Sequence, residues 1–258
     1  VERQRQQRQR HHDAQLPRAK RAMSHARQLA PSAIIDADHP AVIAYARAAA
    51  GDTSDARERA VRLYRAVRDD VVYDPYGLGL DVAGMRASAT LAHGRGWCVA
   101  KAVLLAACAR AEGIPARLGF ADVRNHLSTE KLRAAMGTDL FVFHGYTELW
   151  IAGCWVKATP AFNKELCAKF GVEPLEFDGV HDSLLQAHDG GKRTFMEYVH
   201  DRGSYDDVPL DEILAAFRAN YPTMFPDASG VKQMSGDFAG EGAAERATTT
   251  GSGSDVIS

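Results

Sequence analysis

Hydrophobic and polar positions along the chain define one stretch that is apolar on every side and several that are apolar on one side only. After Asp55-Ala-Arg-Glu58, which has the form of a capping box, Val61, Tyr64, Val67 and Val71 recur at helical spacing and predict a helix running to about Asp70. Asp74-Pro75-Tyr76-Gly77 ends it. Gly94-Arg95-Gly96-Trp97-Cys98 then leads into residues 99–111, interrupted only by Lys101 and Arg110, with Gly113 and Pro115 as stop signals. A helix without a polar face must be surrounded by protein, so this one is expected at the centre of the fold.

The pattern then turns strand-like over 116–123 and, after a short helical piece at 129–136, again over 140–151. Ala152-Gly153-Cys154 reads as a turn and 155–158 as the returning strand of a hairpin. Alternation puts His144, Tyr146, Glu148 and Trp150 on one face and Gly145, Thr147, Leu149 and Ile151 on the other, with Glu148 expected on a partly solvated face. Residues 163–207 carry no clear period. Leu210, Ile213, Leu214, Phe217 and Tyr221 form an apolar stripe between Pro209 and Pro222, which predicts a last amphipathic helix. The fold class that follows is α+β, a central helix packed on an antiparallel sheet.

Composition sets the outer bounds. With 258 residues, 46% hydrophobic and 25% charged, the chain can bury a sizeable core, which excludes disorder throughout and collagen-like repetition. The longest apolar run, 102–109, falls well short of the roughly 18 residues a membrane-spanning helix needs. Residues 1–27 carry eight Arg/Lys and two Asp/Glu, so the rest of the chain is net −8. An acidic fold argues against a nucleic-acid surface, leaving only the Arg/Gln-rich start able to hold nucleic acid nonspecifically. That start, 1–27, is read as a disordered basic leader, with Met23 a candidate natural start, and the Gly/Ser/Thr/Ala-rich 235–258 as a disordered tail. One domain, 28–234, lies between them. Four cysteines without a C-x-x-C pair suggest free thiols in a reducing compartment, and with no secretory signal the expected location is the cytoplasm.

Chemistry concentrates at Cys98. The first turn of a helix offers partial positive charge and free N–H groups, which stabilise a thiolate and can hold a developing oxyanion. Gly94 and Gly96 let the chain turn sharply into that helix. Trp97 is either the lining of an acyl pocket or a core aromatic. Cys108 belongs to the apolar helix. Cys154, Cys167, His181 and His188 show no ligand spacing, so no metal site is expected, and no P-loop, dinucleotide fingerprint or H-E-x-x-H occurs, so no cofactor is expected either.

Gly94-Arg-Gly-Trp-Cys98, Gly113-Ile-Pro-Ala-Arg117, His144-Gly-Tyr-Thr-Glu-Leu-Trp150 and Trp155-Val-Lys-Ala-Thr-Pro160 occur in an order that resembles the transglutaminase-like superfamily of papain-type thiol enzymes, over residues 57–162. The resemblance implies that Cys98 is the nucleophile and that His144 takes the thiol proton and returns it to the leaving amine. Where the family usually has Asp this chain has Thr159, whose hydroxyl can position the imidazole but cannot stabilise an imidazolium as a carboxylate does. Asn163 or Asp178 are the alternatives for that role, and loss of activity is the third outcome. The expected function is hydrolysis or transfer of an amide or acyl group of a peptide or protein substrate through an acyl-cysteine. A catalytically silent domain that binds peptide or protein partners is the alternative. A catalytic pair would place Cys98 and His144 within hydrogen-bond reach, or slightly beyond it in an unliganded state, with the thiol pKa lowered.

Overall fold

The computed structural model describes residues 25–184, 195–225, 232 and 234–251, with side chains to 247. In chain order the elements are α1 (Ala26–Leu29), α2 (Pro40–Ala50), α3 (Ala56–Asp70), β1 (Val72–Tyr73), α4 (Val82–Met85), α5 (Ala87–His93), β2 (Arg95–Gly96) and α6 (Cys98–Ala111). There follow β3 (Ala116–Asn125), α7 (Glu130–Met136), β4 (Leu140–Ile151), β5 (Cys154–Ala158), α8 (Lys164–Phe170), β6 (Met196–Tyr205), α9 (Leu210–Asn220) and α10 (Phe238–Gly251).

The apolar helix is central, as its composition demands. Every residue of α6 from Cys98 to Arg110 is buried, with β4 and β3 on one side and α2, α3 and α5 on the other. Its two cations are buried as well, and backbone carbonyls satisfy them. Lys101 Nζ donates to the carbonyls of Arg68 (2.9 Å) and Val71 (2.5 Å), at the end of α3. Arg110 donates to those of Ala30, Ala116 and Asp206. Burial pulls the Lys101 ammonium down to about 7, because the carbonyls are dipoles that do not replace the solvation of a full charge.

The sheet is antiparallel, in the order β5-β4-β3-β6, and the hairpin of β4 and β5 turns through Ala152 and Gly153, both with positive φ (50° and 87°), the signature of a two-residue type I′ turn. A separate parallel pair, β1 and β2, ties the end of α3 to the start of α6. Asp55 caps α3 by accepting from Arg57 N–H, but Glu58 does not close the capping box. It bonds Thr53 and Arg62, and the Asp55 N–H goes to the Thr53 hydroxyl.

Two expectations are corrected. The segment read as a disordered tail forms α10, anchored by Phe238, which is buried against Tyr73, Tyr76 and Phe170. Lys131 pairs with Glu241, and Arg246 donates to the Phe170 carbonyl. One large ring among small residues is too faint a period to read, yet it suffices to seat a helix. Glu148 is not on a solvated face: it is 2% exposed, ion-paired with Arg117 and accepting from the Ser204 hydroxyl of β6. Of the expected basic leader, residues 1–24 lie outside the described residues. His188 lies outside them too.

Candidate active site

Cys98 is the first residue of α6. Trp97 is its N-cap in extended conformation and makes no side-chain cap, which leaves the first-turn N–H groups of α6 free of side-chain competition. The entry relies on Gly94 (φ 64°) and on Gly96, where a Cβ would stand 3.0 Å from the Ala100 methyl and 3.1 Å from that of Thr90. Backbone N–H groups of Gly145, Val99 and Cys98 itself bond the sulfur and favour its thiolate, but burial opposes them more strongly and the thiol is pushed up to about 11. The lowered value expected from a helix N-terminus is therefore not what the closed site gives. Cys98 is 6% exposed, and three N–H dipoles do not offset the loss of water around a thiolate.

His144 reaches the site from β4 because the residue after it is glycine. A Cβ on Gly145 would stand 2.9 Å from Val99 Cγ2 and 3.0 Å from Val99 Cα, so only glycine lets the strand lie against the first turn of α6. The residue before it, Phe143, has φ 54°, a left-handed conformation in mid-strand. It sits at a β-bulge, where the pairing shifts between Ala121↔His144 and Val123↔Phe141. Asp122, at the bulge, accepts the Phe143 N–H (3.0 Å) and is gripped by Arg202 of β6 (2.6 and 2.8 Å), whose guanidinium lies over the Phe143 ring. A bulge next to a reacting group re-aims a side chain, and here it is locked by a half-buried ion pair. Asp122 and Gly145 had sequence signals, an acid within an apolar strand and a glycine after a strand histidine; Arg202 had none.

Cys98 and His144 line one cavity, with Trp97 in its wall, and among the described residues no thiol–imidazole hydrogen bond joins them. Burial alone pulls the imidazole down to about 4, so at neutral pH both groups are uncharged. His144 and Thr159 line a second cavity of about 20 Å³, in which His144 Nε2 and Thr159 Oγ1 are both buried without a hydrogen-bond partner. The other two candidate orienters are committed elsewhere. Asn163 accepts the Tyr73 N–H and donates to Glu165, and Asp178 is exposed, bonded to His181 and to the N–H groups of Val180 and His181. Of the three, the structure brings only Thr159 to His144. Cys108 is core, and among the described residues no His, Cys, Asp or Glu side chains gather as metal ligands.

The fold thus brings a cysteine at a helix start and a histidine on a strand to the lining of one cavity. Residues 43–160, a little under half of the chain, match the family model of the transglutaminase-like superfamily. No curated protein matches. Among solved structures, a protein from Cytophaga hutchinsonii described as a "Putative Cysteine Protease" is similar at 16% identity with a TM-score of 0.43, over 74% of this chain. The similarity spans 56% of that protein's length.

Proposed function

We propose that this protein is a cysteine-dependent enzyme that opens an amide or related acyl bond of a peptide or protein. Cys98 Sγ attacks the carbonyl carbon, His144 takes the thiol proton, and the leaving amine departs with that proton from His144. The thioester left on Cys98 is then resolved by water, as in a peptidase or amidohydrolase, or by an amine, as in a protein-glutamine acyltransferase. What supports the reading above all is the contact of Gly145 with the first turn of α6, which has no role in packing a larger side chain and sets the histidine beside the thiol. Backbone N–H groups at the helix start would receive the developing oxyanion.

A specific observation favours a second reading, a silent domain that binds peptide or protein partners in the same cleft. Among the described residues no carboxylate lines the cavities at His144, and both members of the pair are buried and neutral. A substrate-like electrophile separates the two. An N-acyl aminoacyl chloromethyl ketone should alkylate Cys98 faster than Cys154, with labelling abolished by Cys98→Ala and slowed at least about tenfold by His144→Ala. Equal labelling of Cys98 and Cys154, unaffected by His144→Ala, would select the binding domain.

A further inference from the structure

We infer that the acyl group this site accepts is a short, uncharged aliphatic one, of the size of a leucine or methionine side chain. The inference rests on the acyl-enzyme reading above. The acyl part stays bonded to Cys98 Sγ after the leaving group departs, so it occupies the cavity that the thiol itself lines. Among the described residues, thirteen line that cavity, and none of them carries an acidic, lysine or arginine side chain. The walls are Leu132 and Met136 of α7, Phe141 and Val142 of β4, and Phe217 and Met224 from α9 and the turn after it.

One polar group of the wall is already committed. The Tyr221 hydroxyl accepts the Val142 N–H (2.6 Å) and donates to the Leu140 carbonyl (3.0 Å). A charged acyl side chain would enter without an opposite charge and lose its hydration. Size narrows the class further. The cavity measures about 50 Å³, above the roughly 10–15 Å³ that admits a single water-sized group, which suits a small side chain such as isobutyl or methylthioethyl. A benzyl group would need a wall to give way, such as the Phe217 ring, which stands 5.8 Å from the Trp97 ring between centroids.

The test uses the full chain and a set of N-acetyl aminoacyl chloromethyl ketones derived from leucine, phenylalanine, lysine and glutamate. In each, the Cys98 thiolate displaces chloride to form a thioether, followed by intact mass and by the site of modification. The leucine reagent should modify Cys98 at least about tenfold faster than the charged reagents and faster than the phenylalanine reagent. Phe217→Ala should narrow or reverse the leucine–phenylalanine difference. Met136→Ala, which enlarges the opposite wall, serves the same purpose where Phe217→Ala does not fold. Equal rates for all four reagents, or a charged reagent fastest, overturn the pocket while leaving the thiol-enzyme reading intact. If no reagent modifies Cys98 in the folded protein while all do so in urea, that reading falls and the pocket with it.

Discussion

At the scale of single residues, two buried polar atoms at the back of the site, His144 Nε2 and Thr159 Oγ1, have no hydrogen-bond partner among the described residues. Thr159→Val removes a buried hydroxyl that bonds nothing, so stability should hold or rise by up to about 1 kcal/mol in urea titration, while turnover falls about tenfold if the hydroxyl steers the ring. Thr159→Asp supplies a carboxylate that favours the imidazolium. It should move the acid limb of the pH–rate profile upward, since His144 then titrates above its present value of about 4. Unchanged turnover in both variants would mean that Thr159 does not orient His144. The buried imidazole also sets a stability window. Its folded pKa of about 4 lies below the unfolded value of about 6.5, so between these the unfolded chain binds more protons. Stability is full above about pH 6.5 and declines as pH falls toward 4, by about 3 kcal/mol in all. His144→Gln should flatten that part of the stability curve; an unchanged slope would assign the acid sensitivity to other groups.

At the scale of elements, the site is held by the meeting of α6 with β4. Gly145→Ala forces a methyl against the Val99 side chain and backbone, and should cost about 1–3 kcal/mol of stability while lowering turnover more than the stability loss accounts for. Val99→Ala in the same chain should restore stability only in part, because the backbone contact at 3.0 Å remains. Full recovery would show that the side chain alone separates the elements. The same scale explains what could be read beforehand. The helix α6 was legible because an apolar run leaves no solvent face to choose, and the hairpin because Ala152-Gly153 meets the turn its strands require. That Cys98 and His144 meet at one cavity was legible through the motifs at the helix start and on the strand. Strand β6 was not, since most of its side chains are exposed and it earns its place by backbone pairing with β3. Glu148 was misplaced because alternation identifies a face but not what covers it, and β6, which covers it, carried no period.

At the scale of the whole molecule, distant segments converge on the cleft. Phe238 of α10 packs on Tyr73, and Tyr73 lines the cavity at Cys98, so the end of the described chain supports the wall of the site. Phe238→Ala should cost about 3–5 kcal/mol by thermal or urea unfolding and loosen that wall; a loss below 1 kcal/mol would show α10 to be only lightly docked. The burial of Cys98 has a consequence for the life of the protein in an oxidising setting. Peroxide attacks a thiolate that it can reach, and Cys98 offers neither the ionised form nor the exposure while α9 and its following turn cover it. Cys154, only half-buried at the end of the hairpin, should be converted to sulfenic acid first. The resting molecule should thus keep the Cys98 sulfur reduced while Cys154 is oxidised, an order that mass spectrometry after a peroxide pulse would read.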